Sequence, residues 1–162
     1  MKKQIIGRVE KISFPDMGIK GVHAKIDTGA DISSLWATGI HENNGVLSFR
    51  LFSKKSPHYT GREIQIPAPH YLFTRIANSF GHRELRYVIK LQLKIGGRII
   101  VGTFTLSNRS QKVYPVLIGR KLLKGKFIVD VSRGSPLKKV EEQKKERLHN
   151  ELEAFKMWER KT

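Results

Sequence analysis

Apolar and polar positions alternate along much of the chain up to Val131, the signature of half-buried strands. Ile19, Val22, Ala24 and Ile26 mark one strand that ends at Asp27-Thr28-Gly29. Leu85 to Ile95 alternates through Tyr87, Ile89, Leu91, Leu93 and Ile95. Gly96-Gly97 then makes a two-residue hairpin turn, and Ile99 to Leu106 returns. Ile5 to Phe14, Val46 to Phe52, Glu63 to Ile66, Val113 to Ile118 and Phe127 to Val131 complete the strands the pattern predicts. Pro15-Asp16-Met17-Gly18 reads as a turn, and Ser53 to Arg62 as a polar, basic loop. Many short strands punctuated by glycine predict an all-β barrel or sandwich.

The period changes after Pro136. Leu137, Val140, Leu148, Leu152, Phe155 and Trp158 recur at roughly helical spacing, and pairs such as Glu141 and Lys145 sit four apart. The chain therefore divides into a β domain, residues 1–136, and an amphipathic helix, residues 137–162. The stretch Glu141 to Arg147 has no strong apolar side chain, so the helix is expected to dock only by its two ends.

Charge adds a second constraint. The 162 residues hold 31 Lys and Arg against 14 Asp and Glu, a net +17. The tail from Leu137 carries eight bases and six acids, a net +2, which leaves +15 on residues 1–136. The excess sits on the β body and calls for an acidic partner: a peptide, or RNA. There is no cysteine, which removes disulfides, thiolate metal sites and thiol catalysis. No apolar run approaches the ~20 residues of a membrane span, and the short Ile5-Ile6-Gly7 stretch is no signal peptide. These features lead to the expectation of a cytoplasmic protein that does not engage a membrane.

The chemistry-bearing stretch is Ala24-Lys25-Ile26-Asp27-Thr28-Gly29-Ala30-Asp31. An aspartate at a strand end, followed by a hydroxyl and a glycine, suits an aspartic peptidase. Glycine lets backbone come close, the hydroxyl ties the loop, and two such loops placed face to face let two carboxylates about 3 Å apart share a proton. One carboxylate then activates water while the protonated one polarises the peptide carbonyl. Asp-Thr-Gly alone also fits an ordinary turn. A second element, Pro115-Val116-Leu117-Ile118-Gly119-Arg120, supplies an apolar strand followed by Gly-Arg.

With both elements in this order, residues 5–131 resemble retropepsin-like aspartic peptidases. The runs KIDTGADISSLWA, NSFGHRELRYVIKLQLKIGG, FTLSNRS and VLIGRKLLKGKFIVDVSR narrow this to a bacterial retropepsin-like family. That family has carried the label of an ATP-dependent zinc protease, and its members are often associated with ATP-grasp glutamate ligases of the RimK type. The resemblance implies an acid-protease fold, a closed β-barrel to which the C-terminal helix is appended. It implies that Asp27 is catalytic, within a loop completed by Thr28, Gly29 and Ala30. Gly119 would pass beside that loop, and Asp31 would pair with Arg120 as structural support. Residues Asn78 to Arg86 would form the flap, with Ser79, Gly81, His82, Arg83 and Arg86 towards the substrate. Asp27 and Gly119 are 92 positions apart, and Ser53 to Arg75 looks inserted, which makes the flap differ from a viral retropepsin's. A single Asp-Thr-Gly supplies half a dyad, so the mechanism requires a homodimer.

The zinc label finds no support in the motifs. The nearest string to His-Glu-x-x-His is His41-Glu42-Asn43-Asn44-Gly45, which lacks the second histidine, and His23, His58, His70 and His82 are scattered. No phosphate loop, dinucleotide fingerprint or nucleophile elbow occurs, so neither metal nor cofactor is assigned. The resulting expectation is an aspartic endopeptidase acting on glutamate-rich or glutamylated peptides, with a functional link to a glutamate ligase. The alternative is a non-catalytic basic β-barrel that binds RNA or the ribosome, with Asp27 vestigial.

Overall fold

The structure is a computed structural model that describes residues 2–77 and 80–161. The two hairpins foreseen from glycine turns organise it. β2 (Val9–Phe14) and β3 (Ile19–Asp27) are joined by a short 3-10 turn over Pro15–Met17, closed by Gly18 at φ 66°. β8 (Arg83–Ile95) and β9 (Arg98–Ser107) are joined by Gly96 and Gly97, both at positive φ as a tight hairpin requires. Val9, Ile12, Phe14, Val22 and Ala24 point inward along the first hairpin, and Leu93, Ile95 and Phe104 along the second. Phe14 and Phe104 meet edge to face, 6.1 Å between ring centroids.

Two strands escaped the hydrophobic pattern. β4 (Ser33–Asn43) begins with Ser33 and Ser34, both buried, which breaks the apolar alternation. Their hydroxyls are satisfied: Ser33 Oγ accepts from the Gly119 N–H at 3.0 Å, and Ser34 and Ser107 share a hydrogen bond of 2.8 Å. β7 (Tyr71–Ala77) is a hairpin partner of β8 whose apolar side chains fall on both faces, Tyr71 against the core and Leu72 and Phe73 exposed, so apolar and polar positions do not alternate along it. The stretch read as one strand, Ile5 to Phe14, is two. β1 (Gln4–Ile6) leaves the sheet at Gly7 and pairs in parallel with β11 (Phe127–Val129). Gly7 is needed there: a Cβ would lie 2.3 Å from the Arg133 backbone.

The pairing runs round a ring. β10 (Val116–Gly119) lies parallel to β3 and antiparallel to β4, and so joins the ends of the path β3-β2-β8-β9-β4. β5 (Val46–Leu51) and β6 (Glu63–Pro67) extend from β4 beyond the ring. A single turn of helix, α1 (Arg120–Leu123), follows β10 and buries Leu122 and Leu123. Inside lies one apolar core of which Leu35, Phe49, Ile89, Leu93, Phe104 and Ile118 are fully covered. Truncating any of these phenylalanines to alanine would cost about 3–5 kcal/mol. Trp36 belongs to this core, edge-on to Phe52.

The C-terminal helix, α2 (Lys138–Glu159), docks differently from the expectation of two apolar ends. None of its side chains is buried. It is held near its start by Glu141, and through Lys144, which donates to the Gln111 carbonyl at 3.0 Å. Its far end carries Leu152, Phe155 and Trp158 half-exposed. The apolar spacing is real, but at least half of the surface of Leu152, Phe155 and Trp158 stays exposed. Among the described residues no helix is long and apolar enough to cross a membrane.

Candidate active site: the Asp27 cleft

β3 delivers Asp27 to its C-terminal end, where the chain must leave the sheet. The carboxylate folds back on its own loop: Oδ1 accepts from the N–H groups of Gly29 at 3.0 Å and Ala30 at 3.2 Å. These bonds fix the side chain and leave Oδ2 without a recorded protein donor among the described residues. Thr28 and Gly29 are exposed, and Ala30 is half-buried.

β10 passes directly beside this loop. A Cβ on Gly119 would stand 2.7 Å from the Ile32 carbonyl carbon and 2.9 Å from the Ala30 oxygen, so only glycine fits. The next two residues stitch the loop down: Arg120 N–H donates to Ala30 O at 2.8 Å and Lys121 N–H to Asp31 O at 3.1 Å. The Arg120 guanidinium forms an ion pair with the Asp31 carboxylate at the surface. Thus Asp27, Thr28, Gly29, Ala30, Asp31, Gly119 and Arg120 gather in one place from two distant segments, with main-chain bonds as the cement.

Asp27 opens into a cleft of about 1230 Å³. One wall is the Asp27 loop and a second is the β7–β8 hairpin at Thr74 to Ala77 and Arg86. Arg86 is largely covered and bonds Glu84 at 2.7 Å. Gly81, at φ 77°, belongs to the hairpin turn, but Gly81, His82 and Arg83 are exposed beyond the cleft lining, so of the described flap residues only Arg86 lines the cleft. Ser79 and Asn78 lie outside the described residues.

The third wall was not foreseen. It comes from the segment after β9, with Arg109, Lys112 and Tyr114, and from α2, with Glu141, Lys144, Lys145 and Leu148. Arg109 donates from Nε to the Tyr114 carbonyl at 3.0 Å. Burial lowers the pKa of its guanidinium to about 10, Arg86 pushes the same way, and the negative charge of Asp27 opposes both. At neutral pH it remains a largely desolvated cation next to the aspartate. The only sequence signal for it was one arginine in the run FTLSNRS. Glu141 is the hub of the α2 contact. Both its oxygens accept from Arg8 at 3.0 Å, and the Tyr114 hydroxyl donates to Oε1. These hydrogen bonds, Arg8 first, lower its pKa to about 2.

In all, Arg8, Lys25, Arg75, Arg86, Arg109, Lys112, Arg120, Lys144 and Lys145 line the cleft against three carboxylates, Asp27, Asp31 and Glu141. Two of those carboxylates are already paired, Asp31 with Arg120 and Glu141 with Arg8. The cleft therefore presents a surplus of positive charge around one acid, Asp27, that has no ion-pair partner among the described residues. Among the described residues no three His, Asp or Glu side chains cluster as a metal site would need.

Known proteins resemble this chain in sequence and in fold. Two curated relatives, from Desulfotalea psychrophila and Shewanella pealeana, are 33% and 34% identical over 132 and 136 residues. Each bears the name "Probable alpha-L-glutamate ligase". The match spans 79–80% of this chain but only 28–29% of theirs. The crystal structure of the Legionella pneumophila protein Lpg0085 (DUF785), described as of unknown function, is similar with a TM-score of 0.63 and 26% identity. That likeness covers 82% of this chain and 97% of the Legionella chain. A family model described as "RimB-like: Retropepsin-like aspartic endopeptidase RimB" matches residues 5–144, reaching past Gly119-Arg120 into the first turns of α2. The chain belongs to this RimB-like, retropepsin-like aspartic endopeptidase family.

Proposed function

We propose that the chain is an aspartic endopeptidase that works as a homodimer, in a retropepsin-like closed barrel. Asp27 of each subunit supplies one carboxylate of the dyad, and together they activate water for peptide hydrolysis. The observation that carries the reading is the Asp27 carboxylate, tethered by two loop N–H groups and opening into a large cleft. In that role Thr28, Gly29 and Ala30 shape the loop, while Gly119 and the Asp31–Arg120 pair hold it against β10. Residues 1–136 form the catalytic unit.

The substrate class follows from charge. A cleft lined by nine cations and three carboxylates attracts an acidic peptide and repels a basic one, more so at low salt. Glutamate-rich or glutamylated peptides meet that requirement. The glutamate-ligase name of the longer relatives supports a functional coupling in which such a ligase makes the glutamyl chain and this chain cleaves it.

The deciding assay incubates glutamate-rich peptides with the wild type and with Asp27→Asn. Cleavage by the wild type, weakened by added salt and abolished in a folded variant, supports the reading. Equal cleavage by both sinks the mechanism, as does full activity in a solution where the protein is entirely monomeric. Salt-sensitive RNA binding by a catalytically silent wild type would favour the basic binding module instead.

A further inference from the structure

The α2 helix is more than an appendage to this cleft. Lys112, Val113 and Lys144 line the Asp27 cleft and also a smaller groove of about 340 Å³ that continues between α2 and the 110–113 segment. Arg147 stands in that groove. A chain lying across Asp27 and leaving past Arg109 would enter it. The carboxylates nearby are committed elsewhere: Glu141 binds Arg8 and Tyr114, and Glu151 faces Arg147 at 3.9 Å. Among the described residues neither Lys112 nor Lys144 forms an ion pair; the Lys144 ammonium donates one N–H to the Gln111 carbonyl at 3.0 Å, which aims it at the groove and leaves two N–H groups for an incoming carboxylate.

We propose that Lys112 and Lys144, with Arg109 at the junction, form an anion subsite that holds side-chain carboxylates of an acidic peptide beyond the bond at Asp27. The helix thus supplies one jaw of the subsite and the body the other. The inference rests on the acidic-peptide reading of the cleft and adds which residues read the acid and why α2 is positioned there. Burial, followed by the like charges of Lys112, Arg147, Arg109 and Lys25, destabilises the Lys144 ammonium, and an incoming carboxylate relieves that strain. A flexible polyanion with a carboxylate on every residue suits a track of lysines, which act as point charges on long stems and need no fixed geometry.

The test is equilibrium binding of a fluorescent oligoglutamate at low salt, followed by anisotropy in the Asp27→Asn background so that cleavage plays no part. A Lys112→Gln, Lys144→Gln pair is compared with Lys54→Gln, Lys55→Gln, which removes the same charge from the exposed 53–62 loop. Weakening of roughly tenfold or more for the first pair, against less than roughly threefold for the second, supports the subsite. Equal weakening in both assigns the effect to the overall field and overturns it. So does an RNA oligonucleotide of matched charge that binds as tightly and loses as much in the first pair. Normal cleavage and normal binding in the first pair refute the subsite and leave the peptidase reading standing. A binding loss in a chain whose wild type never cleaves does the reverse.

Discussion

The two walls that meet over the cleft are held by different physics. The Asp27 wall is main chain against main chain: β10 passes so close to the 29–32 loop that a methyl group at Gly119 would fall 2.7 Å from a carbonyl carbon. The α2 wall has no buried side chain and is held by polar bonds: Glu141, shared between Arg8 and Tyr114, and Lys144, which donates to the Gln111 carbonyl. The first wall is intolerant of added volume, and its surface Asp31–Arg120 pair only supplements the main-chain contacts. The second tolerates volume and answers to charge. An aspartate that must keep its geometry belongs on the former, and a surface that must admit a flexible polyanion belongs on the latter.

The largest effect expected from breaking this contrast is at Gly119. Gly119→Ala forces the 30–32 backbone away and should cost about 3 kcal/mol, seen as a drop in the urea midpoint with little change in slope. Tolerance of that alanine would mean the loop is not clamped as described. Next comes Glu141→Gln, which breaks the Arg8 pair. Solvent around Arg8 limits the loss to about 1 kcal/mol, and it should appear as faster amide exchange in α2 with the strands unchanged. Uniform loss of protection across the ring would show that α2 is integral to the core.

Acid sharpens the same comparison. Because Glu141 has its pKa depressed to about 2, it binds protons less readily with α2 docked than with the chain unfolded. Its contribution is complete above the ordinary glutamate range and fades as pH falls towards 2. Lowering the pH should therefore release α2 before the strands unfold, and Glu141→Gln should remove that step from an exchange-against-pH profile. The smallest effect is at the far end of the helix. Leu152 is half-exposed, and Leu152→Ser should shift stability by no more than about 0.5 kcal/mol in a thermal melt at low protein concentration. A larger loss would show that this apolar face is covered in solution.

How far the sequence could be read follows the same divide. The β2–β3 and β8–β9 hairpins were legible because apolar alternation and glycine turns are local signals. β4 was hidden because Ser33 and Ser34 are buried through hydrogen bonds to partners 86 and 73 positions away, Gly119 and Ser107. β7 was hidden because its apolar residues sit on both faces, Tyr71 against the core and Leu72 and Phe73 exposed, and so do not alternate with polar ones. The helix was legible as a helix, but its docking was not, since helical spacing reports which residues share a face and not what that face meets.

By itself, the sequence determined that an aspartate sits at a strand end in a glycine loop, that an apolar Gly-Arg segment accompanies it, and that the positive charge belongs to the β body. Local chain geometry requires those residue types, so they leave a pattern. Only the tertiary structure decided that Arg109, Lys112 and Lys144 face the cleft of Asp27, and that Glu141 draws α2 into its wall. Charge acts through space without a period along the chain, so a cationic cleft assembled from separate segments becomes visible only once the strands have brought them together.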